Sequence, residues 1–98
     1  MSANEQPVFE VRLRSKRVER ELDGLQGVDY DRVAARLRAL AREPRPAGCE
    51  KLHGDIYRVR VGGLRIIYRV DETARRVDVG GIRRRSERTY KGLRDLFH

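Results

Sequence analysis

Three arginines gather around a predicted two-residue turn in the stretch YRVRVGGLRIIYRV, residues 57–70. The glycine pair at residues 62–63 separates two alternating segments and predicts a β-hairpin, because glycine accepts the positive φ that tight hairpin turns need. In this hairpin Arg60 lies directly opposite Arg65, and Arg58 lies two residues along on the same face. Like charges opposite each other destabilise a sheet by roughly 0.2–1 kcal/mol, so the arrangement needs a physical reason.

An anion bound between the guanidinium groups is one such reason. Arg58, Arg60 and Arg65 would hold a phosphate and stabilise the negative charge that develops on it during a reaction. The alternative is a solvated face with acidic neighbours, for example Arg65 paired with Asp78 on the next strand. The spacing alone leaves both interpretations open.

A second basic segment, RRRSERTY at residues 83–90, follows the next predicted strand. Its arginines would lie beside the hairpin face if this strand pairs with residues 64–70. Arginine supplies phosphate contacts, and the phenol of Tyr90 can stack on a base or exchange a proton. The alternative is a basic helix start, with Tyr90 packed into the core.

The charge is concentrated in the same half of the chain. The net charge is +8 over 98 residues. Residues 1–50 carry ten Lys and Arg against nine Asp and Glu, whereas residues 51–98 carry thirteen against six. Such segregation is typical of a protein that binds a polyanion, most simply nucleic acid. The alternative is an arginine-rich soluble surface.

The surrounding elements predict one α+β domain over residues 1–98, with a polar tail at 1–7. Residues 8–13 alternate as a strand, two helices follow from Ser15 to the prolines at 44 and 46, and three strands occupy about residues 56–61, 64–70 and 75–82. A C-terminal helix is expected within 86–98, capped by Ser86. The order is β-α-α-β-β-β(-α): a small antiparallel C-terminal sheet, joined by the N-terminal strand and packed on a helical hairpin.

This arrangement predicts two unlike sheet faces. One packs on the helices through alternating apolar residues: Tyr57, Val59, Val61, Leu64, Ile66, Tyr68 and Val70. The opposite face is open and basic, with Arg58, Arg60, Arg65, Ile67 and Arg69. An open basic face is a suitable platform for a nucleic acid.

Other chemistry finds little support in the sequence. The lone Cys49 excludes an intramolecular disulfide, and nothing has zinc-ligand spacing, so we predict no metal and no cofactor. His53 is more often a loop residue than a general base in such a context. The N-terminus lacks an apolar secretory segment and no apolar run could span a membrane, so we expect a cytoplasmic location and no membrane partner.

The stretch KLHGDIYRVRVGGLRIIYRVDETARRVDVGGIRRRSERTY, residues 51–90, resembles the core of the RelE/ParE toxin superfamily. The resemblance extends over about residues 8–92 and favours the RelE-like branch. It implies the toxin of a type II toxin-antitoxin system, a metal-independent endoribonuclease that cleaves mRNA in the A site of the 70S ribosome. The ribose 2′-hydroxyl would attack the adjacent phosphate and leave a 2′,3′-cyclic phosphate. A locally acidic, RelB-like antitoxin is the implied protein partner.

Carried over by position, the resemblance implies that Arg60, Arg65 and Arg84 clamp the phosphate, with Arg83 or Arg85 in place of Arg84 if the register slips. Arg58 matches a further basic catalytic position, and Tyr90 would orient or deprotonate the 2′-hydroxyl, or stack on a base. We expect five residues to contact RNA: Arg69, Arg83, Arg85, Arg88 and Lys91.

One departure from the RelE pattern bears on mechanism. Lysine is usual where this chain has Arg58 and Arg60, and arginine does not lose its proton. Electrostatic stabilisation would therefore carry more of the catalysis. Two other functions stay open: a ParE-like toxin that inhibits DNA gyrase without cleaving RNA, and a non-enzymatic RNA-binding module.

Overall fold

A computed structural model describes residues 8–84 and 96–97 of the chain. The elements are β1 (Glu10–Leu13), α1 (Lys16–Asp23), α2 (Gly27–Leu40), β2 (Glu50–His53), β3 (Ile56–Val61), β4 (Leu64–Asp71) and β5 (Arg76–Arg84). The strands form one five-stranded sheet in the order β1-β5-β4-β3-β2. β1 joins β5 in parallel, and every other neighbouring pair is antiparallel. This confirms the predicted α+β class.

The two helices cover one face of the sheet. Ser15 caps α1, its hydroxyl accepting a hydrogen bond from the backbone N–H of Val18, as the sequence predicts. The main core lies between these helices and the sheet and contains the apolar residues predicted for the covered face, of which Tyr57 is only partly buried. Val18, Val33 and Leu40 are fully buried. Burial of this apolar surface, at about 25 cal/mol per Å², is the main force that holds the helices on the sheet.

The central hairpin has the predicted register. Val61 pairs with Leu64, and Arg60 pairs with Arg65. Gly62 takes a φ of +60° at the turn, a conformation that glycine adopts at no steric cost. The turn therefore fixes which residues of the two strands share a face.

The strand β2 is an element that the sequence does not predict, because residues 47–55 read as a connector. It is short and mostly exposed, and it pairs with β3 at the edge of the sheet. Its first residue, Glu50, lies directly opposite Arg58. An acidic side chain therefore shares the face of the hairpin arginines.

The second face of the sheet is partly covered, contrary to the prediction of an open surface. Ile67 is fully buried in a small cluster with Ile56 and Phe97. Phe97 lies over Gly80, which forms a bulge where the pairing of β4 with β5 shifts register. The side chain of Arg14 donates a hydrogen bond of 2.5 Å to the carbonyl oxygen of Phe97.

The predicted C-terminal helix lies mostly outside the described residues, including its expected cap Ser86 and Tyr90. Within it, residues 96–97 have 3₁₀ geometry. None of the helices in the described part of the chain has the length and apolar character needed to cross a membrane.

Candidate anion-binding site

Three arginines form a row across three neighbouring strands. Arg60 on β3 pairs with Arg65 on β4, and Arg65 pairs in turn with Arg83 on β5. Neighbouring strands lie about 4.8 Å apart, so the three side chains leave the same face in close succession. We call Arg60, Arg65 and Arg83 the arginine row. It concentrates positive charge beside the cluster of Ile67 and Phe97.

Arg58 lies next to the arginine row but is held by a carboxylate. Its guanidinium forms an ion pair with Glu50 on β2, and its side chain is only 11% exposed. A cavity of about 220 Å³ lies beside this pair, lined by Gly48, Cys49, Glu50, Arg58 and Arg60. Glu50 therefore competes with any anion that would approach Arg58.

Glu21 on α1 holds the far end of the row. Its carboxylate accepts hydrogen bonds from Arg83, from Arg17 at 2.7 Å and from the backbone N–H of Ile82 at 3.0 Å. β1 is too short to pair with this end of β5, and α1 supplies the missing hydrogen bonds; Arg17 also donates to the carbonyl oxygen of Gly80 at 2.9 Å. Glu21 thus joins α1 to the end of β5 that carries Arg83.

The environment of Glu21 favours its charged form. Partial burial alone would raise the pKa of the carboxyl, but the hydrogen bonds from Ile82, Arg83 and Arg17 together outweigh it and lower the pKa below its ordinary value. The carboxylate is therefore ionised at neutral pH and neutralises part of the charge of Arg83.

The remaining predicted residues are placed as follows. Arg84 is exposed and pairs with Leu64, so the alternation of the strand puts it on the face opposite to the arginine row. Of the arginines considered for this position, Arg83, Arg84 and Arg85, Arg83 is the one that belongs to the arginine row.

Arg69 forms an ion pair of 3.2 Å with Asp55 and lies opposite Asp78. Asp78 is thus in register with Arg69 and not with Arg65. The other predicted site residues lie outside the described part of the chain: Arg85, Arg88, Tyr90 and Lys91.

Sequence reasoning missed the two carboxylates of the site. The position of Glu50 beside Arg58 would follow from the pairing of β2 with β3. The sequence of β2, EKLH, has no apolar alternation that would predict a strand. Glu21 is 62 residues from Arg83, and no local pattern indicates that contact. The site is therefore the arginine row with Glu21 bound to Arg83 at one end and with Glu50 bound to the neighbouring Arg58, and its guanidinium groups can bind a phosphate.

Three comparisons relate the chain and its fold to known proteins. The family model of the ParE toxin of type II toxin-antitoxin systems, parDE, matches residues 13–89. No curated protein sequence matches the chain significantly. The chain is similar to the solved archaeal RelE-RelB complex from Pyrococcus horikoshii OT3, with 25% identity and a TM-score of 0.71 over 82% of this chain and 98% of that one.

Two further structures support the fold. The toxin-antitoxin complex RelBE from Mycobacterium tuberculosis is 24% identical, with a TM-score of 0.69 over 82% of this chain and 100% of that one. The isolated RelE toxin of E. coli is 18% identical, with a TM-score of 0.66 over 93% of this chain and 99% of that one.

The five-stranded sheet with a helical hairpin on one face is thus a fold shared with RelE toxins, and the chain is a member of the RelE/ParE superfamily of type II toxins. The chain belongs to the ParE toxin family within it, because the family model matches most of its length. This confirms the superfamily predicted from the sequence.

Proposed function

We propose that this toxin is an endoribonuclease that cleaves mRNA in the ribosomal A site. The observation that carries the proposal is the arginine row: three guanidinium groups in register on three strands form a surface suited to the charge of a phosphate in its transition state. The similarity to the archaeal RelE-RelB complex at 25% identity supports the RelE-like branch.

The reaction would proceed by internal attack. The ribose 2′-oxygen bonds to the adjacent phosphorus and loses its proton, and the bond from phosphorus to the 5′-oxygen breaks. The leaving oxygen takes up a proton, giving a 2′,3′-cyclic phosphate and a 5′-hydroxyl. Arg60 and Arg65 stabilise the negative charge of the phosphorane, because arginine keeps its proton and acts as a fixed cation.

The remaining roles are assigned by position. Tyr90 orients or deprotonates the 2′-hydroxyl, or stacks on a base, and Arg58 adds charge once RNA displaces Glu50 from it. Arg84, whose strand position faces away from the row, contacts the substrate only if the RNA passes the end of β5. The other contacts to RNA come from Arg69, Arg83, Arg85, Arg88 and Lys91.

The partners follow from the same chemistry. mRNA on the 70S ribosome is the substrate, and the reaction needs no cofactor. A RelB-like antitoxin with local acidic charge would neutralise the basic face and block the arginine row. Its affinity for the toxin should fall as salt screens these charges.

A second candidate function rests on the family match. The ParE toxin model covers residues 13–89, which favours an inhibitor of DNA gyrase that cleaves nothing. In that case the arginine row would bind another anionic surface.

Cleavage of mRNA on programmed ribosomes tests the proposal. The wild type should cut within A-site codons and leave a cyclic phosphate end, and Arg65→Gln and Tyr90→Phe should each lose most of this activity. Arg38→Gln on α2 is a control that removes the same charge away from the row. Absence of cleavage by the wild type, together with inhibition of gyrase supercoiling, would establish the second candidate instead.

A further inference from the structure

A cationic groove, distinct from the arginine row, lies between α2 and the turn of the central hairpin. Its volume is about 430 Å³. Its lining consists of small or apolar residues and three arginines: Arg32, Ala35, Arg36, Ala39, Arg60, Val61 and Gly62. We call it the α2 groove. No carboxylate contributes to this lining.

The arginines of the α2 groove are not neutralised within the described part of the chain. Ion pairs there hold Arg17, Arg45, Arg58, Arg69, Arg76 and Arg83, and none of them involves the groove arginines. Arg32 and Arg36 are four residues apart on one helix face, where like charges repel by about 0.2–0.5 kcal/mol. An anion bound between them would remove this repulsion.

The hairpin turn makes room for one of these guanidinium groups. A Cβ on Gly62 would lie only 3.3 Å from Nη1 of Arg32. The absence of a side chain at this position lets Arg32 approach the turn closely. The groove therefore joins a helix to a turn that is itself fixed by the hairpin register.

Arg60 connects the α2 groove with the sheet face. It lines this groove and also the cavity beside Arg58 and Glu50, and it belongs to the arginine row. Arg60 is thus the residue at which the arginine row and the α2 groove adjoin. A flexible polyanion bound at Arg60 can therefore continue into the α2 groove, whose lining contains no carboxylate.

We propose that the α2 groove binds the phosphodiester backbone of the single-stranded RNA next to the segment held by the arginine row. Arg32 and Arg36 contact a flanking phosphate, and Arg60 is shared between the two sites. The proposal rests on the proposed function in one respect: the nucleic acid bound to the arginine row is RNA. Continuity with the row favours RNA over an acidic protein segment, since one chain of regularly spaced phosphates satisfies both sites.

Equilibrium binding to a 2′-O-methyl RNA oligonucleotide tests the groove separately from cleavage, because this RNA has no 2′-hydroxyl to attack. Fluorescence anisotropy would be followed over a salt series for the wild type and for the double variant Arg32→Gln/Arg36→Gln. Arg38→Gln/Arg42→Gln is the matched control: it removes the same charge from the neighbouring groove between α2 and β1.

We expect the groove variant to bind roughly five- to tenfold more weakly than the control variant at moderate salt. Its salt slope should be shallower by about 0.7 for each phosphate that the variant no longer neutralises. Equal affinities and slopes for the two variants would overturn the proposal. A groove variant that keeps its RNA affinity but fails to bind a polyglutamate peptide would also overturn it and assign the groove to an acidic protein. Absence of ribosomal cleavage by the wild type, with the groove effect intact, would reject the nuclease alone.

Discussion

Phe97 packs so closely on Gly80 that a Cβ at this glycine would lie 2.6 Å from Cζ of the ring. The ring closes the small cluster on the face that also carries the arginine row. The bulge at Gly80 thus provides the surface on which Phe97 packs.

Replacing Gly80 with alanine should therefore displace Phe97. We expect Gly80→Ala to lower the free energy of unfolding by about 1–2 kcal/mol, because the ring must leave the apolar surface of Ile67. Denaturant unfolding followed by circular dichroism measures this cost. Gly81→Ala is the control, since a Cβ there meets nothing closer than 3.6 Å.

A double-mutant cycle identifies the contact responsible. In a Phe97→Ala background, Gly80→Ala should cost close to nothing, because the clash has been removed. An undiminished cost in that background would place the strain in the backbone of the bulge and would contradict a clash with the ring of Phe97.

Glu21→Gln should destabilise the protein in a pH-dependent way. We expect a loss of about 1–2 kcal/mol at pH 7, because hydrogen bonds from two guanidinium groups lose their charged acceptor. The pKa of Glu21 is lower in the folded protein than its ordinary value of 4.5. Its contribution is therefore fully present above that value and disappears as the pH falls through the lower, folded-state pKa.

Unfolding curves at neutral and acidic pH check this. The difference between wild type and Glu21→Gln should shrink in acid, whereas Glu19→Gln, at an exposed position on the same helix, should show little difference at either pH. A difference that stays constant with pH would mean that shape, and not charge, is what Glu21 contributes.

The hairpin shows what the sequence specifies well. Two glycines at the turn and the alternation of apolar residues with arginines next to it leave one register that buries Val61 and Leu64, so Arg60 must face Arg65. The capped start of α1 and the addition of β1 to the sheet follow from equally local or topological rules, whereas the sequence does not predict the parallel direction of β1.

The contacts that the sequence does not reveal are those between distant segments. The alternation of β4 assigns Ile67 to the exposed face, but it is buried in a cluster with Ile56 and with Phe97, which lies 30 positions later in the chain. Arg83 looks like a free cation until α1 packs against β5 and brings Glu21 to it. A polar edge strand such as β2 has no apolar period, so its pairing to β3, and with it the role of Glu50, depends on tertiary structure.

Tyr68→Phe should cost about 1 kcal/mol, because it leaves the carbonyl oxygen of Pro44 without the hydroxyl that donates to it at 2.7 Å. Burial, reinforced by neighbouring Cys49, raises the pKa of Tyr68 far above its ordinary value of 10.0. The hydroxyl therefore contributes stability that is present below pH 10 and is lost as the pH rises above it.

Alkaline unfolding measurements distinguish this effect from a change in packing. The advantage of the wild type over Tyr68→Phe should decline above pH 10, whereas Tyr30→Phe, at an exposed position, should leave stability unchanged throughout. Ionisation of Tyr68 before unfolding, seen as early tyrosinate absorbance in the wild type but not in Tyr68→Phe, would contradict the buried hydrogen bond.

Glu50→Gln should increase the affinity of the protein for RNA. The carboxylate of Glu50 is 56% exposed and occupies the guanidinium of Arg58, so a phosphate must displace it before binding there. Without the negative charge, Arg58 becomes an additional phosphate ligand. We expect 2′-O-methyl RNA to bind several-fold more tightly, with a salt slope steeper by about 0.7, the increment for one further neutralised phosphate.

Glu43→Gln separates this local effect from a general gain of positive charge. Glu43 is exposed, and its replacement changes the net charge by the same amount. If Glu50→Gln and Glu43→Gln raise the affinity equally and leave equal salt slopes, Arg58 serves only to hold β2 on β3. A gain confined to Glu50→Gln, abolished when Arg58→Gln is added, would show that the carboxylate at this end of the site limits access to the arginines.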